Sequence, residues 1–251
     1  MIRFFAAPED ISTDSIRLSE DDSKHIRALR LRPYEQFIVC DGNGTDYVCQ
    51  LGEREDYTVA EVLEQHKSQG EPTITCKAYM AYSKGDRLEY AVQKSVELGV
   101  NEIVLFESER CVSIPRDIPK RVGRLQKIAH ETAKQSGRGI IPAVSCGGEF
   151  EKIVNEALRS SDFTLLFYEN EDYLHIKRVL EKYFSPLRGR EEYESKTVSI
   201  ITGPEGGFEP HEIKLAVSKD IPIVSLGPRI LRSETAPVVA LATIMYQTGN
   251  L

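Results

Sequence analysis

The residues best equipped for chemistry in this chain lie in two short polar segments near its carboxyl end, each interrupting an apolar run. The first, residues 203–207, reads GPEGG, and the second, residues 226–235, reads LGPRILRSET. Glycines without a Cβ let the backbone approach a ligand closely, and Pro204 and Pro228 stiffen that approach. Such loops can hold a small cofactor. Neither is a phosphate cradle: there is no GxxxxGK[ST], GPEGGF lacks the GxGxxG spacing, and a carboxylate at Glu205 would repel a pyrophosphate. A nucleotide hydrolase is therefore disfavoured. An ordinary tight turn is the plain alternative for either segment alone. Two in tandem, with Arg229, Arg232 and Glu234 in the second, argue for a site.

The surrounding elements must position them. Ile200 and Ile201 mark a buried strand running into Gly203, with helix signals after the loop; residues 223–226 read as another strand, 227–233 as a rigid loop and 234–246 as an apolar helix. In a parallel α/β sheet ligands collect outside the carboxyl ends of strands, where both loops fall. Strands and helices alternate from residue 73 onward, which predicts such a sheet. Strands are expected at 73–80, 102–106 and 163–168, the last with Tyr168, Glu169 and Asn170 at its carboxyl end. Asp86 is placed to cap a helix whose Leu88, Ala91, Val92, Ser95 and Gly99 share a face. Lys94 and Glu97, three apart on another face, read as a surface ion pair. A helix from about Pro119 carries a buried stripe of Val122, Leu125, Ile128, Ala129 and Ala133, with Arg121, Arg124, Lys127, Lys134 and Arg138 among its polar residues. A further helix is expected at 172–184 and a charged loop at 185–196.

The first 71 residues read as a β-rich module. Three strands are expected at 36–40, 45–51 and 57–63, the first two joined by DGNG at 41–44, a hairpin signal because Asn and Gly tolerate positive φ. Three short strands bury little, so closure into a small barrel is expected. Lys24, His25, Arg27, Arg30 and Arg32 form the basic segment of this module, with Lys24, Arg27 and Arg30 on one side of a short helix. That face suits an RNA backbone or is merely solvated. The polar stretch 65–72 reads as the linker.

The 251-residue chain is 41% hydrophobic and 28% charged, an ordinary soluble composition, and its net charge of −7 argues against a generally basic nucleic-acid binder. Any RNA contact needs a local patch. Five scattered cysteines without zinc spacing fit reduced thiols, no metal and a cytoplasmic location. The stretch MIRFFAAPED has acidic residues by Glu9 and no apolar core of the length expected of a secretory signal, and residues 237–246, the longest apolar stretch, are half of what a membrane span needs.

GPEGGF followed by LGPRILRSETA resembles the bacterial ribosomal RNA small subunit methyltransferase E family, within the SPOUT superfamily. KGDRLEYAVQKSVELGV at 84–100, SERCV at 108–112 and AKQSGR at 133–138 extend the resemblance over most of the chain. It implies an S-adenosylmethionine-dependent enzyme that methylates N3 of a uridine in 16S rRNA, within the small ribosomal subunit, as a homodimer. The implied fold is an α/β-knot domain at 73–251, its last helix threaded through a trefoil knot, behind a PUA-like RNA-binding β-barrel at 1–71. Leu226, Gly227, Ile230 and Leu231 would then receive the adenine. Gly203, Glu205, Gly206 and Gly207 would bend round the ribose and methionine parts, with Pro204, Arg229, Tyr168 and Glu169 in the same pocket. Arg232, with Arg138 as second candidate, would favour the uridine anion, and Glu234, or else Glu205, would take its proton. Glu234 at a helix start also has a purely electrostatic explanation. RNA contacts fall to Lys24, His25, Arg27, Arg30, Arg32, Arg110 and Gln135. The rival reading is a noncatalytic RNA-binding protein on the same scaffold. The last helix serves either a dimer contact or a buried position within one chain.

Overall fold

The computed structural model describes residues 2–32, 34–51, 58–170, 174–184 and 195–251. It divides into two compact units, Met1–Glu71 with Glu131–Ile141, and Pro72–His130 with Pro142–Leu251.

In the first unit β1 (Arg3–Phe5), β2 (Ser15–Arg17), β3 (Phe37–Cys40), β4 (Thr45–Gln50) and β5 (Val59–Lys67) form a five-stranded sheet in the order β1-β3-β4-β5-β2, and helix α1 (Glu20–Leu29) follows β2. The expected hairpin is present: β3 and β4 pair antiparallel, with Gly42 and Gly44 at φ +73° and +96°. Two strands, β1 and β2, have no counterpart in the three expected. Each is three residues long, too short to show a period of two. The expected linker is also shortened, because β5 continues through Lys67. Phe4, Ile16, Ile26, Phe37, Val39 and Ala60 make the core.

The second unit is built on β6 (Thr75–Ala81), α2 (Arg87–Glu97), β7 (Glu102–Glu107), α3 (Ile118–Ser136), β8 (Ala143–Glu149), α4 (Phe150–Ser160), β9 (Phe163–Phe167), α5 (Ile176–Tyr183), β10 (Thr197–Thr202), α6 (Pro210–Ser218), β11 (Ile223–Val224) and α7 (Ala236–Gln247). Its six strands are all parallel, in the order β11-β9-β10-β6-β7-β8. The last residues of α3 count with the first unit. β8 and α4 lie in a stretch for which no element was expected. β8 contains Gly147 and Gly148 and departs from regular register beside β7, so its sequence carries little strand pattern. The expected helix at 172–184 begins at Ile176; residues 171–173, and 185–194 of the charged loop, lie outside the described residues.

Tyr79, Ala81, Val104, Phe106, Leu166 and Ile201 pack with Phe150, Ile153 and Val154 of α4 and Ala216 of α6 in one core cluster. α2 and α7 pack together, and α7 lies on β6 and β10. Asp86 stands at the N-cap of α2 as expected, but its side chain accepts no capping bond. Gly99 ends that helix at φ +92°, and Lys94 pairs with Glu97 at 2.7 Å.

Candidate active site

The strand order places the site. β6 is flanked by β7 on one side and β10 on the other, so the order of the sheet reverses there, and parallel strands end their loops on one edge. Along that edge β11, β9 and β10 are neighbours, and the segments leaving them wall a cavity of about 550 Å³. Phe167, Tyr168, Glu169 and Asn170 come from the end of β9, and Thr202 to Gly207 from the end of β10. Ser225, Leu226, Gly227, Arg229, Ile230, Leu231, Arg232 and Ser233 follow β11, Ala236 opens α7, and Arg87 opens α2. The volume suits a nucleoside-sized ligand.

All twelve residues expected to hold a cofactor line this one cavity, and Arg232, expected to act on the substrate, lines it too. Gly227 adopts φ +112° and its N–H donates to Ser225 Oγ at 3.2 Å, a conformation that favours glycine. Gly207 sits at φ +69°, and a Cβ there would run into the Glu169 carboxylate. A Cβ on Gly203 would press on the buried Phe208 ring at 3.0 Å. At Gly206 it would meet Arg110 Cβ at 3.0 Å. The loop therefore follows a path with little space for side chains at these positions. Arg110 straps it from outside, Nε donating to Glu209 Oε1 at 2.5 Å and Nη1 to the Gly206 carbonyl at 3.1 Å.

Glu205 carries the clearest chemical signal. Its Oε1 accepts the Lys84 backbone N–H at 2.8 Å and an Arg87 Nη1–H at 3.0 Å. Its Oε2 is buried with no hydrogen-bond partner among the described residues. A buried acceptor left unmade costs free energy that a ligand donor recovers. Burial would raise the pKa of this carboxyl, but the Lys84 amide, the residue's own amide and the Arg87 guanidinium together outweigh it and hold the group below its ordinary value.

Other expectations need correction. Arg138 does not line the cavity. It is 2% exposed, and its Nε and Nη2 donate to Glu71 Oε1 and Oε2 at 2.9 and 2.7 Å, while the same carboxylate accepts the Gly139 and Ile140 amides. A guanidinium buried in a saturated ion pair supports the first unit and is not presented to a substrate as a catalytic group. Glu234 does not begin the last helix, which starts at Ala236; a turn closed by the Thr235 and Ala236 amides on the Arg232 carbonyl precedes it. Glu234 lies 3.9 Å from Arg87 and accepts a bond from Ser233 Oγ at 3.3 Å.

The basic segment is also less uniform than its spacing predicts. Lys24 pairs with Glu20 at 2.7 Å, its own helix supplying the counter-charge. His25 stacks edge-on with Phe4. Arg30 lies past the end of α1 in a left-handed conformation, so it leaves the Lys24 and Arg27 face. Arg27, Arg32 and Gln135 are exposed. Sequence reasoning missed Arg87 in the wall of the cavity, although KGDRLEY, which contains it, is one of the segments that carry the family resemblance.

Residues 70–245 match the RNA methyltransferase domain family, and residues 18–57 match the RNA methyltransferase PUA domain family. Ribosomal RNA small subunit methyltransferase E of Bacillus subtilis is 30% identical over 97% of this chain and 93% of its own length. The enzyme of the same name from Synechocystis is 32% identical over 96% of this chain and 76% of its own. Among solved structures, that of a ribosomal RNA small subunit methyltransferase E from Neisseria gonorrhoeae bound to S-adenosyl methionine superposes with a TM-score of 0.82. It is 30% identical, over 98% of this chain and 97% of that one. A putative methyltransferase from Legionella pneumophila in complex with the same cofactor gives 0.80 at 27% identity, over 98% of this chain and 97% of that one.

Proposed function

The chain belongs to the ribosomal RNA small subunit methyltransferase E family, and on that premise we propose that its cavity binds S-adenosylmethionine for transfer of a methyl group to N3 of a uridine in 16S rRNA. It is an S-adenosylmethionine-dependent rRNA methyltransferase. The observation that carries the site-level reading is the cavity at the ends of β9, β10 and β11, lined by Glu205, whose Oε2 is buried with no hydrogen-bond partner among the described residues.

The residues present fit the cofactor. Leu226, Leu231 and the backbone about Gly227 offer an apolar slot with hydrogen-bonding groups for the adenine, and Glu205 Oε2 offers an acceptor for a ribose hydroxyl. When bound, S-adenosylmethionine supplies a methyl group on a sulfonium centre. The protein's own work is to hold the uridine in line and to favour its anion. Orientation alone contributes up to about 7–11 kcal/mol in the best cases. Arg232, exposed at the cavity, stabilises charge on the uridine carbonyl oxygens, and Glu234 accepts the imino proton. Glu205, held ionised and already hydrogen-bonded, serves better as a fixed acceptor than as the base.

The same reading takes the second unit as a SPOUT α/β knot with α7 threaded through it, and the first as a PUA-like barrel carrying rRNA through its exposed Arg27 and Arg32. It assigns a cytoplasmic homodimer acting on the small subunit. Ile230 and Tyr246, 80% and 75% exposed, flank the proposed interface, apolar surface that a second copy would cover. Calorimetric titration with S-adenosylmethionine tests the cofactor assignment, and mass spectrometry of small-subunit rRNA treated with the enzyme tests the product. Saturable binding and a new N3-methyluridine are expected. Absence of binding both to the free protein and in the presence of small-subunit particles would reduce the chain to a noncatalytic RNA binder.

A further inference from the structure

Arg87 stands where two loops of the cavity meet. It is the first residue of α2, half-exposed at the cavity wall. Its Nη1 donates to Glu205 Oε1 in the loop after β10, and its Nε lies 3.9 Å from Glu234 Oε2 in the segment after β11. The Lys84 amide shares the Oε1 of Glu205 with it. One backbone donor at one oxygen would still let the carboxylate pivot about that contact. A second donor from another direction, the guanidinium of the residue that opens α2, narrows that freedom. The result is an asymmetric carboxylate, with Oε1 accepting two hydrogen bonds from the protein and Oε2 buried with no hydrogen-bond partner among the described residues.

We infer that Arg87 is a positioning residue of this site, pinning Glu205 through Oε1 so that Oε2 meets a hydroxyl of the cofactor's ribose. The inference rests on the cofactor reading above. A neutral hydroxyl suits this acceptor better than an ammonium, because Arg87 already balances the Glu205 charge and Arg229 and Arg232 line the same cavity. Arg87 thus acts through Glu205, and removing it changes what the site distinguishes as well as how tightly it binds.

The test is ligand discrimination by the full chain. S-adenosylhomocysteine and its 2′-deoxy and 3′-deoxy ribose analogues are titrated calorimetrically against wild type, Arg87→Ala, Arg87→Lys, Glu205→Gln and the Arg87→Ala/Glu205→Gln double variant. Wild type is expected to lose about ten- to a hundredfold in affinity for one deoxy analogue, the range for a hydrogen bond to a charged group. Arg87→Ala should shrink that ratio to within about threefold, Arg87→Lys should restore part of it, and the double variant should be little worse than Glu205→Gln alone, the signature of coupled residues. Thermal melts identify any variant that fails to fold; if Arg87→Ala does, the ratio measured for Arg87→Lys decides. An Arg87 variant that binds all three ligands more weakly with the wild-type ratio intact would show a merely structural role and overturn the inference. Wild type that binds the parent ligand without discriminating would overturn the hydroxyl assignment. Failure of wild type to bind any of the three, alone and with small-subunit particles present, would sink the cofactor reading itself.

Discussion

Glu205 shows how far a single residue type can be read. In sequence it is a carboxylate among glycines, equally able to repel an anion, bind a hydroxyl or take a proton. In the folded chain its Oε1 is occupied and its pKa is depressed, burial being outweighed by the Lys84 amide, its own amide and Arg87. A depressed carboxyl pKa contributes stability that is fully present above the unfolded value and is lost as pH falls through the folded one. The melting difference between wild type and Glu205→Gln should therefore be constant above about pH 4.5, the ordinary value, and shrink below it. Arg138 illustrates the opposite case. An arginine in a family-like motif invites a catalytic role, yet its guanidinium is held by Glu71 at 2% exposure. Glu71→Gln leaves that charge buried without its counter-ion and should cost about 3–5 kcal/mol in chemical unfolding.

Among the elements, the parallel strands other than β8 and the helices other than α4 were legible because short apolar runs alternated with amphipathic segments. β8 was not legible, with two glycines in seven residues, and neither were the three-residue strands β1 and β2. α6 is the element most directly tied to the cofactor loop. Its Glu212, 3% exposed, accepts the Glu209 amide at 2.8 Å, Ser108 Oγ at 3.1 Å and the Glu109 amide at 3.3 Å, binding the helix start to the end of β7. Glu212→Ala orphans these donors. It should destabilise the chain by about 1–3 kcal/mol, read by thermal melt, and weaken S-adenosylmethionine binding because GPEGG leads straight into this helix.

For the whole molecule, the proposed dimer makes a direct claim about α7. Tyr246 is 75% exposed on a mostly apolar helix, and Tyr246→Glu should move the protein from dimer toward monomer in sedimentation velocity while far-ultraviolet circular dichroism stays unchanged. A wild-type monomer at micromolar concentration would remove the interface. The net charge of −7 adds that rRNA affinity must come from local cations and fall as salt rises.

What the sequence alone determined is the type and order of the main elements, the parallel sheet, the two loops and, through their paired motifs, the family. Those follow from local periodicity and from short-range spacing, both carried by neighbouring residues. Only the tertiary structure decided which distant groups meet. It put Arg87 on Glu205 across 118 positions, buried Arg138 against Glu71 across 67, and grouped residues 131–141 with the first unit. Strand order set the first of these: β6 and β10 are far apart in the chain but adjacent in the sheet, so the segments that follow them are brought within hydrogen-bonding reach, which no local pattern encodes.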